Sequence, residues 1–117
     1  MPNPYTFPLS WSRLPGFPSA RLVLLGQFHS GYPVFGLQSP FGEPLARVNV
    51  EPTDLTPFRE HPPHVLVVKD YSENEGLALA LRSAGILQFT GESISGPWDS
   101  HFYLMALTPK LREHFEL

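Results

Sequence analysis

The sequence contains no cysteine, which excludes disulfide bonds, thiolate nucleophiles and cysteine-ligated zinc. Only 16% of the residues are charged, and the formal net charge is −3. Because a nucleic-acid-binding surface normally carries a basic stripe, direct binding to DNA or RNA is not expected. No apolar run approaches the length of a membrane span, and residues 1–18 lack the basic and apolar regions of a secretory signal. We therefore expect a cytoplasmic protein without membrane contacts.

Proline is abundant, with 14 residues in a chain of 117. Five prolines fall in residues 1–19, between aromatic side chains, and they prevent a helix there. The sequence thus predicts a proline-rich N-terminal arm over residues 1–19 and a single domain over residues 20–117. The arm is either a docking segment for a partner or a tail whose aromatic residues pack onto the domain, and we favour the tail. Proline in loops also lowers the entropy of the unfolded chain, which is one route to heat tolerance.

Alternating and valine-rich apolar runs predict six strands. They are Arg21–Phe28, Tyr32–Gln38, Leu45–Val50, His64–Val68, Ile86–Phe89 and His101–Leu107. The first three should form an antiparallel meander, and residues 91–99 are expected to be a loop or a bulged strand end. A proline-rich connection precedes His64, and Pro57 there suits the first position of a helical turn. The predicted fold class is α+β, with an antiparallel sheet of five to six strands.

One main helix is predicted over about residues 73–84, packed on one face of the sheet. Its apolar residues recur with the helical period and form one stripe: Leu77, Ala80, Leu81 and Ala84. A short C-terminal helix should begin at Pro109 and bury Leu111 and Phe115. The predicted architecture is therefore a sheet covered by one main helix and a short second helix.

The ends of the main helix carry residues that are typical of capping. Ser72 precedes Glu75 by three positions, as in a capping box in which each side chain bonds a backbone N–H of the first turn. The Asp70 carboxylate should complement the positive end of the helix dipole. Gly85 stands where a left-handed residue would end the helix. Structural capping roles are therefore predicted for Asp70, Ser72, Glu75 and Gly85.

Charged and polar residues cluster where the fourth predicted strand meets the helix, between Lys69 and Glu75. Three carboxylates in this corner could hold a divalent cation, but the same groups complement the helix N-terminus, which is the interpretation that we favour. Tyr71 and Trp98 are bulky, amphipathic residues in loops, the type that anchors interfaces. The candidate binding residues are Lys69, Tyr71, Glu73, Asn74 and Trp98.

The sequence gives little support for a metal site or for a catalytic nucleophile. His61 and His64 are separated by two prolines, which forbid the helical spacing of a metal pair, and the remaining histidines are scattered. Ser95, Asp99 and His101 have the residue types of a catalytic triad, but Ser95 lacks the glycine-flanked nucleophile elbow. We therefore predict no catalytic residues, no metal ligands and no cofactor.

A family resemblance rests on several short motifs. They are Gly42-Glu43-Pro44, Val48-Asn49, the segment from Lys69 to Gly76, and Ala84-Gly85-Ile86. These motifs resemble the signature of a small family of uncharacterised phage and mobile-element proteins. The similarity spans roughly residues 21–107, leaves out the arm, and has Arg47 where a small polar residue is expected. It implies a small accessory protein of a phage or plasmid, located in the cytoplasm of the host cell, and it carries no established enzymatic activity.

Three functional hypotheses follow. In the first, a non-enzymatic accessory protein binds a host protein or protein complex, for example to inhibit host defence or transcription. The second is a small-ligand-binding protein or a hydrolase that uses the corner between Asp70 and Glu75. The third is a structural subunit that self-associates through a sheet edge. The phage-like motifs, the lack of a catalytic set and the aromatic loop residues favour the first.

Overall fold

A computed structural model of the chain describes residues 3–13, 18–52 and 60–117. Its strands are β1 (Tyr5–Pro8), β2 (Ser19–Gln27), β3 (Pro33–Gln38), β4 (Pro44–Arg47), β5 (Asn49–Val50), β6 (Val65–Lys69), β7 (Leu87–Ser95) and β8 (His101–Leu107). The helices are α1 (Leu77–Ser83) and α2 (Pro109–Phe115). The predicted α+β class, with antiparallel strands and a short C-terminal helix, is confirmed. The helical turn predicted at Pro57 lies outside the described residues.

The strands divide between two sheets rather than forming one sheet of five or six strands. The first sheet has the order β1-β2-β3-β4, and the second sheet has the order β5-β6-β8-β7. The division arises because the segment Pro44–Val50, most of which was predicted as the single strand Leu45–Val50, changes partner at Val48. Its first part pairs with β3 and its second part pairs with β6. One strand that bends from one sheet into the next is a common way to join two packed sheets.

Buried amide side chains complete the hydrogen bonding at this junction. Asn49 is 2% exposed, and its Oδ1 accepts the N–H of Phe35 at 2.8 Å while its Nδ2 donates to the carbonyl oxygen of Pro33 at 2.8 Å. Asn74 is also buried, and its Nδ2 donates to the carbonyl oxygen of Arg47 at 2.7 Å. In a continuous β-ladder, these backbone groups would bond to a neighbouring strand. Because the segment Pro44–Val50 leaves β3, the two amide side chains bond to them instead.

The N-terminal segment is built into the first sheet. Its β1 strand pairs with β2, with Phe7 opposite Ala20. Phe7 and Trp11 are buried in the main core cluster, the hydrophobic core that also contains Phe35, Leu66, Leu81, Met105 and Phe115. The indole Nε1 of Trp11 donates to the carbonyl oxygen of Glu75 at 2.7 Å. These residues therefore link the start of the chain to the segment that precedes α1.

The α1 helix is shorter than predicted, and it begins at Leu77. The residues before it form a 3₁₀ turn over Ser72–Asn74, and Gly76 then adopts a left-handed conformation with φ 84°. Gly76 is the N-cap of α1, and its φ keeps the chain from continuing as one helix. The predicted stripe lies on the correct side, because Leu77, Ala80 and Leu81 are buried.

The C-terminal end of α1 is closed as the sequence predicts. Gly85 has φ 76°, and its N–H donates to the carbonyl oxygen of Arg82 at 3.0 Å. The N–H of Ile86 donates to the carbonyl oxygen of Leu81, also at 3.0 Å. This pair of bonds is a Schellman motif, which needs a left-handed residue at the position of Gly85.

Both faces of the second sheet are covered by apolar side chains, because successive residues of a strand point to opposite faces. Leu66 and Val68 of β6 face the main core cluster, together with Met105 of β8. Val65 and Val67 face the opposite side and belong to a second buried cluster. The continuous valine-rich run of β6 is thus explained by burial on both sides.

The imidazole of His64, just before β6, provides a pH test of the fold. Burial lowers the pKa of His64, and the nearby Arg112 guanidinium lowers it further. The folded chain binds fewer protons here than the unfolded chain, so the stability present above about pH 6.5 should be lost as the pH falls. We expect the melting temperature to drop between pH 7.5 and pH 5.5, and to drop less in His64→Gln. His29→Gln, in an exposed turn, should keep the full drop; an equal drop in both variants would contradict this assignment.

Candidate functional site

The corner between β6 and α1 is organised by Asp70. Its Oδ1 accepts the N–H of Gly76 at 2.8 Å, and its Oδ2 accepts the N–H of Ala78 at 2.9 Å. Both oxygens therefore bond backbone donors that the first turn of α1 leaves without helical partners. The carboxylate caps the helix from the end of the preceding strand, and it occupies the position at which an anionic ligand would bind.

The capping box predicted from Ser72 and Glu75 is wrong. Ser72 has a positive φ of 55° at the start of the 3₁₀ turn, and the N-cap of α1 is Gly76, which has no side chain that could cap the first turn. Glu75 instead pairs through its Oε2 with the Nη2 of Arg13 at 2.9 Å. The prediction fails because the helix starts after Gly76, so Ser72 lies too far from its first turn to cap it.

Lys69 and Glu73, two of the predicted binding residues, pair with each other. The Nζ of Lys69 lies 2.6 Å from the Oε1 of Glu73 and 4.8 Å from the ring centre of Tyr71. The hydrogen bond from Lys69 is the main reason that the pKa of Glu73 is lowered to about 2. The pair is exposed to solvent, so we expect it to add little to the stability of the fold.

Asn74 does not belong to a contact surface. The prediction that it binds a partner is wrong, because Asn74 is buried and its amide donates to the carbonyl oxygen of Arg47.

Tyr71 is half-buried, and its ring packs edge-on against Phe102 at a centroid distance of 5.4 Å. Tyr71 thus helps to cover the second buried cluster.

Replacing Asp70 with asparagine tests the capping geometry. An asparagine oxygen can accept only one of the two N–H bonds, and its amide group would face the other donor. We expect a loss of about 1–2 kcal/mol in the free energy of unfolding, measured by urea denaturation. Glu73→Gln is the matched control and should change stability by less than about 0.5 kcal/mol. Equal effects of the two changes would show that Asp70 does not cap α1.

Trp98 lies in the turn between β7 and β8 and is 95% exposed. Its backbone is left-handed, with φ 61° and ψ 34°, and the next residue, Asp99, also has a positive φ of 58°. The N–H of Gly96 donates to the carbonyl oxygen of Ser100 at 2.9 Å, which closes the turn. The indole therefore stands in solvent at the end of a closed hairpin.

Sequence reasoning did not single out Phe41. This residue lies in the turn between β3 and β4 and is 88% exposed. The Oγ of Ser39 accepts its N–H at 3.1 Å and the N–H of Glu43 at 3.1 Å, which fixes the turn. The available signal was an aromatic residue directly after a proline between two predicted strands, the same order as in Pro97-Trp98.

Ser95 and His101 form a cross-strand pair of β7 and β8. The Oγ of Ser95 lies 2.9 Å from the Nδ1 of His101. The Nε2 of His101 is buried and has no hydrogen-bond partner among the described residues, and no hydrogen bond joins His101 to Asp99 in that part of the chain. A serine–histidine nucleophile needs a group that orients the imidazole and stabilises its charge. The pair lacks that third member.

An open groove of about 340 Å³ beside α2 brings together Arg112, Glu113 and Glu116, whereas two other grooves have one charged residue each. A groove of about 320 Å³ on the outer face of the first sheet has Arg47 as its charged residue, and one of about 520 Å³ beside the end of α1 has Arg82. Within residues 3–13, 18–52 and 60–117, no three histidine or acidic side chains come close enough to hold a metal ion. Over the same residues, no helix is both long and apolar enough to cross a bilayer.

Comparisons of the chain with protein-family models, with curated proteins and with solved structures find no match. Its function is therefore inferred from the geometry of its own residues.

Proposed function

We propose that this chain is a non-enzymatic protein that binds another protein, with Trp98 as the anchor of the contact. The observation that carries this proposal is the position of Trp98, whose indole is almost fully exposed at the end of a closed turn. Tryptophan is among the residues that most often dominate the free energy of protein interfaces.

The backbone at this turn supports a binding role. A left-handed conformation costs a residue with a side chain about 1–2 kcal/mol, and Trp98 and Asp99 both adopt it. With 95% of its surface exposed, the indole adds little to the packing that stabilises the fold. The turn thus bears a cost in folding and places a large apolar surface in water, which is favourable only when another molecule covers that surface.

The corner between Asp70 and Glu75 offers less support for a ligand site. Each of its carboxylates already has a partner within the chain: Asp70 with the backbone of α1, Glu73 with Lys69, and Glu75 with Arg13. A cation or an enzyme substrate would have to displace these bonds. Binding of a small ligand there, or hydrolysis, is therefore the weaker alternative.

Self-association through a sheet edge is also weakly supported. The edge strands are β1, β4, β5 and β7. Pro8 lies in β1, Pro44 begins β4, β5 has two residues, and β7 is bulged between Phe89 and Ser93. Proline, short length and bulges are the features by which edge strands avoid pairing with another strand.

The resemblance of the segment from Lys69 to Gly76 to phage and mobile-element proteins suggests the setting for this contact. We propose a host protein or protein complex as the target, in host defence or in transcription. An accessory protein of that kind acts by occupying a surface of its target, and it needs an anchor such as Trp98 rather than a catalytic group.

Trp98→Ala tests the proposal directly. We expect the variant to lose at least about 2 kcal/mol of binding free energy, roughly thirtyfold in affinity, while its melting temperature does not fall. Leu79→Ala is the matched control, because Leu79 is an apolar side chain of α1 that is 58% exposed. The measurement is quantitative capture of proteins from host lysate on the immobilised wild type and both variants. Capture that is the same on all three would refute the role of Trp98.

A further inference from the structure

Two turns of this molecule present the same arrangement. Trp98 and Phe41 are the most exposed large apolar side chains among the described residues, at 95% and 88%. Each directly follows a proline, and a carboxylate residue follows each of them closely: Asp99 after Trp98, and Glu43 after Phe41. One turn belongs to the second sheet and the other to the first sheet.

The strand register places both turns at one end of the molecule. β3 and β6 both run antiparallel to the segment Pro44–Val50, so their C-terminal ends point the same way. Asn49 fixes this alignment, because it pairs with Val68 of β6 while its side chain bonds to β3. The turn that carries Phe41 follows β3 directly.

The turn that carries Trp98 precedes β8, which is antiparallel to β6. The carbonyl oxygen of His101, at the start of β8, accepts the N–H of Asp70, just after the end of β6. The Trp98 turn therefore lies beyond the C-terminal end of β6. We call this end of the molecule, with the Phe41 turn, the Trp98 turn and the corner between β6 and α1, the turn end.

Carboxylates outnumber cations at the turn end. The carboxylates are Glu43, Asp70, Glu73, Glu75 and Asp99, and the cations are Arg13, Arg47 and Lys69. Three of the carboxylates bond within the chain, as described above. Glu43 and Asp99, the two beside the aromatic residues, have no ion-pair partner in the part of the chain that the structure describes.

We propose that Trp98 and Phe41 together engage one protein partner, and that the contacted surface of this partner is basic around two apolar pockets. This inference rests on the proposed function and adds the second anchor and the charge of the partner. The indole and the phenyl ring supply the apolar contacts, and Asp99 and Glu43 pair with lysine or arginine at the rims of the pockets. The same carboxylates disfavour an anionic membrane surface or a nucleic acid, because both would be repelled.

The probe for this proposal is a library of short random peptides, displayed for selection on the immobilised protein. The wild type should enrich peptides in which lysine or arginine flanks apolar residues. For the best of these, Phe41→Ala and Trp98→Ala should each weaken binding at least tenfold. The double charge reversal Glu43→Lys with Asp99→Lys should weaken it at least tenfold and enrich acidic peptides instead. Leu79→Ala should bind as the wild type does.

The outcomes separate this inference from the proposed function. Peptide binding that needs Trp98 but is insensitive to Phe41→Ala, or to the charge reversal, overturns the two-anchor basic contact and leaves the proposed function standing. Peptide binding that is unchanged in Trp98→Ala, or no enrichment by the wild type, overturns both. Sedimentation of the protein with vesicles of phosphatidylglycerol, and no enrichment of basic peptides, would show that the turn end binds an anionic membrane and overturn the basic protein partner.

Discussion

Asn49→Asp is expected to destabilise the fold by about 3–5 kcal/mol near pH 7.5, much of the total stability of a small domain. In the native chain, the Nδ2 of Asn49 donates to the carbonyl oxygen of Pro33, and its Oδ1 accepts from the N–H of Phe35. An aspartate keeps the second bond but turns a carboxylate oxygen towards the Pro33 carbonyl oxygen. A buried negative charge beside an acceptor is penalised by lost hydration and by repulsion.

The dependence on pH distinguishes this mechanism from a simple loss of contacts. Burial should raise the pKa of the introduced carboxyl, and its protonated form can donate to Pro33, so the loss should shrink near pH 5. Asn49→Leu is the control: it leaves one donor and one acceptor unpaired, at a cost of about 2–4 kcal/mol that should not change with pH. Urea denaturation, with each variant referred to the wild type at the same pH, measures both. A loss in Asn49→Asp that is equal at the two pH values would contradict the role of the amide.

Trp11→Ala is expected to cost about 3–5 kcal/mol in the free energy of unfolding, although Trp11 lies in the proline-rich start of the chain. Its side chain is 6% exposed and packs in the main core cluster. Its indole N–H also bonds the carbonyl oxygen of Glu75, where the chain turns into α1. Removal of the ring would open a cavity at this point and leave that carbonyl oxygen without its partner.

Two matched variants separate packing from the polar contacts. Trp11→Phe keeps most of the apolar volume and loses the hydrogen bond, so we expect a smaller cost of about 1–2 kcal/mol. Arg13→Ala removes the exposed ion pair with Glu75 and should cost less than about 1 kcal/mol. Thermal melts of the three variants give the comparison. If Trp11→Ala melts with the wild type, the N-terminal segment is not part of the core.

Local patterns predicted the regular elements of this chain well. The stripe of α1, the left-handed Gly85 and the run of β6 depend on neighbours within one or two turns, and these neighbours are visible in the sequence. The start of α1 was predicted too early because the spacing of Ser72 and Glu75 matches a capping box whether or not a helix begins at Ser72. Gly76, which adopts φ 84°, decided the start.

The candidate site was predicted only in part. Trp98 was identified because a large aromatic residue in a loop is a local feature, and the structure places it in solvent. Asn74 was assigned to a contact surface because its neighbours are charged, but the fold brings Arg47 to its amide and buries it. Phe41 gave the same local signal as Trp98, and its position at the turn end depends on the register between distant strands.

By itself, the sequence determined the fold class, the helices and most strands, and it excluded chemistry that requires cysteine, because these properties depend on composition and on short-range periodicity. Tertiary structure alone decided that the strands form two sheets, joined where Asn49 replaces a ladder partner of β3. It also decided that the proline-rich start of the chain is part of the core, through Trp11. The physical reason is that a buried amide or indole is placed by partners far along the chain, and no local pattern specifies which backbone groups will lack a partner.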